Sequence, residues 1–187
     1  MKKAIVIMLM LTAGLSINAQ DIQLSEAGAY EKKEVFKIES STAAVLFGRA
    51  MEALSDWTGP DGKAKAGIDY QDKETGTVIY KGTFSLGYKK TFLGDGWYRY
   101  ANFTLKVRCK DGRAQVTVTV PSITAVNSKR GNQVENSTAV LLDAVQKSTG
   151  AKHERGVKLM EDLTTTADGL VAAMGERLKT GNADEDF

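Results

Sequence analysis

Apolar and polar residues alternate strictly along two neighbouring segments, residues 100–110 and 113–120. Asp111-Gly112 lies between them, and this dipeptide is typical of a two-residue type I′ hairpin turn. The turn would place Lys110 opposite Arg113, and counting back along both strands then brings every apolar residue opposite another apolar residue. Because a slip of one residue would move the apolar set to the wrong face, this register is strongly specified. We predict an antiparallel hairpin with one buried and one exposed face.

The register can be stated pair by pair. Cys109 is predicted to face Ala114, and the pairing continues to the far end of the hairpin, where Phe103 is predicted to face Val120. Pro121 follows, and we expect the chain to leave the strand there.

Shorter patterns predict the other elements. Ser40-Ser41-Thr42 precedes an apolar stripe with steps of three and four residues, which predicts a capped helix. Ser137-Thr138 is a second candidate cap. The predicted strands are 34–39, 67–72 and 77–86, the predicted helices are 43–57, about 137–147 and 152–179, and residues 127–136 are predicted to be a polar loop. The chain is therefore expected to be α+β, a curved antiparallel sheet with helix packed on one face and a C-terminal helical extension.

The start of the chain has the three-part pattern of a secretory signal peptide. Lys2 and Lys3 precede an apolar run from Ala4 to Leu15, and small residues follow up to Ala19. The run is shorter than the roughly 20 apolar residues that a membrane-spanning helix needs. We expect cleavage after Ala19, an exported protein that is periplasmic or extracellular, and no membrane span.

Charge and residue counts narrow the possible functions. The formal net charge is +2, and it comes from Lys2 and Lys3 of the predicted signal peptide. The remaining chain is formally neutral, which argues against a nucleic-acid partner, since nucleic-acid binders usually carry a basic surface. One cysteine and one histidine are present, so an internal disulfide is excluded and no cofactor or metal site is expected.

Four segments occur in an order that can be compared with known families. They are EVFKIE at 34–39, a capped helix ending at Trp57, YQDKETGTVIYKG at 70–82 and KVRCKDGRAQVTV at 106–118. They resemble a family of exported bacterial proteins, domain of unknown function 4468, with a TBP-like fold. The resemblance covers about residues 33–125. It implies a curved antiparallel sheet with helix on one face, and it implies no catalytic residues. We accordingly expect a signal peptide at 1–19, a TBP-like domain at 20–125 and a helical extension at 126–187.

Isolated polar residues offer little evidence for catalysis. Cys109 belongs to the buried set of its strand, where a free thiol is usually inert. His153 lies among charged residues, with no nucleophile that the sequence places beside it. Asp69 and Asp72 fall on opposite faces of a strand, and Asp72 precedes a turn where aspartate is locally useful. We expect no catalytic residues, although a hydrolase whose pocket combined Asp69, His153 and Cys109 is an alternative.

Two features of the sequence are typical of surfaces that bind a ligand or a partner protein. An aromatic segment, residues 87–100, interrupts the predicted strands and contains Tyr88, Phe92, Trp97 and Tyr98. Exposed aromatic residues on a loop suit contact with a protein, peptide or saccharide, whereas a loop folded back on the sheet would bury them. We therefore expect a non-enzymatic binding or envelope-associated protein that uses these four residues.

The second feature is a basic stripe on the exposed face of the hairpin, formed by Lys106, Arg108, Lys110 and Arg113. It suits an anionic polymer. Because the stripe has no aromatic neighbours for base stacking, a solvated sheet face is the simpler interpretation.

Overall fold

The computed structural model describes residues 22, 24–56, 67–90 and 95–180 of the 187-residue chain. The described elements are β1 Tyr30–Lys37, α1 Ala43–Ser55, β2 Gly67–Asp72, β3 Thr77–Lys90, β4 Gly96–Lys110, β5 Arg113–Asn127, β6 Gln133–Ser137, α2 Thr138–Gln146 and α3 Gly150–Thr180. The predicted signal peptide, Trp57 and Phe92 lie outside the described residues.

The strands form an antiparallel sheet in the order β1-β5-β4-β3-β2. β6 pairs with β5 at Ser122–Val126, beyond the stretch of β5 that pairs with β1. The three helices contribute buried side chains to one face, which we call the inner face, and the outer face carries no helix among the described residues. The predicted α+β fold, with an open antiparallel sheet and C-terminal helices, is confirmed.

The predicted register of the β4–β5 hairpin is confirmed from its turn to Leu105, which pairs with Val118. The predicted turn type is wrong. A type I′ turn needs positive φ at both central residues, but only Gly112 has it, at 71°. The turn also contacts the start of α1. Asp111 Oδ1 accepts a hydrogen bond of 2.7 Å from the Ala43 amide.

Pro121 does not end β5, although the sequence predicts that it does. β5 continues to Asn127, and the register shifts between Asn102 and Thr104 of β4, so the regular pairing does not extend to Phe103. Proline lacks a ladder donor and is accommodated at bulges. The Val120 carbonyl, displaced at this bulge, accepts a hydrogen bond of 2.7 Å from the Thr138 hydroxyl.

Helices α1 and α3 cover the turn end of the sheet. Thr42 caps α1 by accepting from the Val45 amide, as the sequence predicts. Arg49 of α1 donates to the carbonyl oxygens of Leu178 and Lys179 at 3.1 and 3.2 Å, and so binds the C-terminal end of α3. Basic side chains are favourable at that end of a helix.

Close packing brings α3 onto β1. A Cβ atom on Gly175 would come within 2.1 Å of the Phe36 ring, so only glycine permits this approach. The apolar stripe of α3 belongs to the same hydrophobic core as the sheet, and the predicted domain boundary at residue 125 falls inside β5. None of the helices among the described residues is long and apolar enough to cross a membrane.

Candidate functional site

The described parts of the aromatic segment, residues 87–90 and 95–100, extend the β3–β4 hairpin. β3 continues to Lys90 and β4 begins at Gly96, beyond the strand ends predicted from the sequence. A bulge between Ser85 and Tyr88 shifts the pairing, and Gly87 within it has a φ of +85°, which glycine adopts without steric cost. The extra residue changes which side chains of β3 point outward beyond this position.

Tyr88 is therefore paired with Tyr98 on the outer face. Their ring centroids are 4.8 Å apart with an interplanar angle of 43°, and each residue is 45% exposed. The Tyr88 ring also packs over Gly96, where a Cβ atom would come within 2.0 Å of it. We call Tyr88 and Tyr98 the tyrosine pair. Its rings are held in place by contacts and yet remain open to solvent.

Two of the four predicted contact residues, Trp97 and Tyr98, lie on opposite faces of the sheet. Trp97 follows the alternation of β4 and lies on the inner face, opposite Lys89 and Asn127. It is half-buried, and Phe92 lies outside the described residues. Because neighbouring residues of a strand point to opposite faces, Trp97 and Tyr98 cannot share one flat ligand surface.

A polar cluster lies on the outer face, two rows from the tyrosine pair. The Asn102 side-chain amide donates to Ser122 Oγ at 2.9 Å, to Thr124 Oγ1 at 3.0 Å and to Glu135 Oε1 at 3.2 Å. The Ser122 hydroxyl also donates to Glu135. Glu135 belongs to β6, which the sequence predicted as a loop, so the cluster was missed. Tyr100 lies between the cluster and the tyrosine pair, beside Thr124.

The basic stripe lies on the outer face as predicted. Val35 and Gln115 complete a shallow depression of about 230 Å³ that is lined by Arg108, Lys110 and Arg113. None of these three basic residues forms an ion pair with another described residue. Their positive charges are therefore not compensated by an ion pair within the described residues.

The residues weighed for catalysis have separate structural partners. Cys109 is 3% exposed, and burial raises the pKa of its thiol to about 11. His153 Nδ1 lies 3.0 Å from the Val145 carbonyl oxygen, so its ring contacts the C-terminal end of α2. Asp69 pairs with Lys81 at 2.9 Å.

Asp72 closes the β2–β3 turn, as its position in the sequence indicates. Its carboxylate accepts from the Thr75 hydroxyl at 2.8 Å and from the Glu74 amide at 2.9 Å. The hydrogen bonds from Thr75 lower the pKa of Asp72. Within the described ranges, no three His, Cys, Asp or Glu side chains come close enough together to hold a metal ion.

Comparison with known proteins supports the fold. Residues 33–124 match the family model described as a domain of unknown function, DUF4468, with TBP-like fold. A solved DUF4468 family protein from Bacteroides ovatus is 14% identical, with a TM-score of 0.58 over 87% of this chain and 92% of that chain. A TBP-like protein from Parabacteroides distasonis is 12% identical, with a TM-score of 0.60 over 85% of this chain and 97% of that chain. No match was found among the curated proteins.

Proposed function

Residues 33–124 of this chain belong to the DUF4468 family, whose description assigns no activity, and we propose that the protein is an exported, non-enzymatic saccharide-binding protein. The observation that carries this proposal is the exposed tyrosine pair on a sheet face that also holds a preformed polar cluster. The signal-peptide pattern of residues 1–19 supports export.

The tyrosine pair suits a ligand with both apolar and hydroxyl-bearing surfaces. A tyrosine ring offers a large apolar face and a polar tip, and it loses little conformational entropy when a ligand binds. A sugar ring offers C–H groups on its faces and hydroxyls around its edge. Because Tyr88 and Tyr98 are already packed against each other and Gly96, binding would need little further ordering.

The polar cluster supplies the directional contacts. Its members include a side-chain amide, two hydroxyls and the Glu135 carboxylate, which together offer both donors and acceptors. A strand advances about 3.4 Å per residue, so Asn102 lies roughly 14 Å along β4 from Tyr98. This distance suits a chain of a few sugar units lying along the strand, with Tyr100 between its ends.

Saccharide binding can be tested with matched tyrosine variants. Calorimetric titration of soluble oligosaccharides should give binding that Tyr98→Ala and Tyr88→Ala each weaken about tenfold, in the range that truncated aromatic contacts cost. Tyr70→Ala is the control, because Tyr70 is 48% exposed on the same face but lies on β2, away from the pair. Equal effects of all three substitutions, or no binding by any saccharide tested, would contradict the proposal.

Export needs its own measurement. Mass spectrometry of the protein isolated from its native host should give a chain that begins at Gln20. Recovery of the chain with Met1 intact would contradict cleavage.

The basic stripe favours a second candidate function, the binding of an anionic polymer. Its uncompensated charges line a depression on the outer face at the opposite end from the tyrosine pair. Such binding should weaken steeply as the salt concentration rises, and Arg108→Gln should reduce that salt dependence. Heparin is a suitable polymer for the test, and binding that salt leaves unchanged would exclude this function.

A further inference from the structure

A pocket of about 260 Å³ lies on the inner face, between the β3–β4 hairpin and the two C-terminal helices. We call it the cationic pocket. Its lining is mainly apolar, with Leu141, Ala144 and Val145 from α2 and Leu159 from α3. The volume suits a chain of about eight carbon atoms if each occupies close to the roughly 30 Å³ of a water molecule.

Four basic side chains line the same pocket. Lys89 and Arg99 come from the hairpin, and Lys152 and Arg155 come from the beginning of α3. None of the four forms an ion pair in the part of the chain that the structure describes. The Nε atom of Arg99 is buried without a hydrogen-bond partner among the described residues. An unsatisfied buried guanidinium donor is costly, so a ligand that supplies an acceptor at this nitrogen is favoured.

The electrostatic setting is strongly positive. The pKa of Lys89 is lowered by partial desolvation and then by the charges of Arg155 and Arg99. Burial also lowers the pKa of Arg99, and the nearby Asp162 opposes this effect only in part. Asp162 is itself paired with Lys158 at 3.1 Å.

The start of α3 adds to this positive charge. A helix N-terminus carries positive partial charge, and the first turn of α3 contains no acidic residue. Lys152 and Arg155 are thus placed at the end of the helix that favours anions, close to the two cations of the hairpin. The exposed Glu154 is the neighbouring acid on the same helix, and it is not among the pocket residues.

We propose that the cationic pocket binds a small amphipathic carboxylate, with the apolar body against α2 and α3 and the carboxylate at Arg99 and Arg155. A carboxylate supplies the acceptor that Arg99 Nε lacks, and arginine donors match the geometry of its two oxygens. The apolar floor excludes a simple inorganic anion as the preferred ligand, because such an anion would leave that surface without a partner. The tyrosine pair lies on the opposite face of the sheet, so this site is independent of the proposed saccharide binding.

Three probes separate the parts of the proposal in calorimetric titrations. Octanoate, which has both the chain and the charge, should bind saturably with one molecule per protein. Octanol tests the chain without the charge and acetate tests the charge without the chain, and each should bind at least about tenfold more weakly, as loss of a charge-assisted contact or of apolar burial predicts. Absence of octanoate binding would overturn the proposal, and so would equal binding of octanol or of acetate.

Two substitutions locate the site. Arg155→Gln and Arg99→Gln should each weaken octanoate binding about tenfold, because each removes a charged donor. Arg177→Gln is the control, since it makes the same change on an exposed residue near the other end of α3. Arg155 is exposed, so its variant should fold even if Arg99→Gln does not. Unchanged octanoate affinity in Arg155→Gln, or an equal loss in Arg177→Gln, would exclude the cationic pocket as the binding site.

Discussion

The two ends of the inner sheet face differ, although the same long strands form both. At the turn end, the inward residues of β4 and β5 are aliphatic or small, and Val107 and Val116 are fully buried beneath helices. At the hairpin end, the inward positions carry Trp97, Arg99 and Lys89, and the last two of these line an open pocket. Alternation decides which face a side chain occupies, but helix coverage decides whether that face becomes core or binding surface.

The largest expected effect is a loss of stability when a buried inner-face residue of the turn end is truncated. Leu105→Ala should lower the free energy of unfolding by about 2–5 kcal/mol, because Leu105 is fully buried and its removal leaves a cavity. Thr104→Ala, on the outer face of the same strand, should stay within about 0.5 kcal/mol. Denaturant titration measures both values. Similar losses in the two variants would mean that burial does not distinguish the two faces.

The reactivity of the Cys109 thiol measures how well the turn end of the sheet is closed to solvent. A thiol with a pKa of about 11 rather than its ordinary 9.0 has about a hundredfold less thiolate at pH 8, and the thiolate is the reactive form. Labelling of the native protein with a thiol reagent should therefore be at least about a hundredfold slower than labelling in denaturant. Equal rates would show that this end of the sheet opens readily.

The same thiol should make stability depend on alkaline pH. Folding raises the pKa of Cys109, so the unfolded chain loses this proton first as the pH rises. The stabilising contribution is complete below about pH 9 and is lost towards about pH 11. The free energy of unfolding should fall more steeply across this range in wild type than in Cys109→Ala. Parallel curves for the two proteins would exclude a raised thiol pKa.

A much smaller loss of stability than that of Leu105→Ala is expected at the hairpin end. Trp97→Ala should lower the free energy of unfolding by about 0.5–1 kcal/mol, since Trp97 is half-buried and does not belong to the hydrophobic core. Denaturant titration beside Leu105→Ala gives the direct comparison. A loss as large as that of Leu105→Ala would mean that the core extends to the hairpin end.

Much of the turn end could be predicted from the sequence because its determinants are local. Alternating residues and a two-residue turn fix the pairing of Cys109 with Ala114, and this pairing is confirmed. The turn type was wrong because Asp111 is bound by the Ala43 amide, a contact between residues far apart in the chain. The turn preference of the Asp111-Gly112 dipeptide carries no information about a contact with such a distant residue.

The hairpin end was less predictable because its features depend on bulges and on distant segments. Nothing in the alternation reveals that the bulge at Gly87 moves Tyr88 to the outer face. β6 can pair with β5 only because β5 continues past Pro121, where the Thr138 hydroxyl binds the Val120 carbonyl from a distant part of the chain. The cationic pocket combines residues from the hairpin and α3, and no sequence pattern links them.

The pairing of β1 with β5 has a consequence for the order of folding. Tyr30 of β1 pairs with Val120, and Ala43 at the start of α1 donates to Asp111, so the N-terminal part of the fold depends on hydrogen bonds from the middle of the chain. Closing such long loops costs entropy before any contact compensates for it, and a high contact order slows folding. The β4–β5 hairpin, whose contacts are local, is therefore expected to form first and to serve as the template onto which β1 and α1 assemble. During synthesis, β1 must wait until β5 has left the ribosome before it can pair.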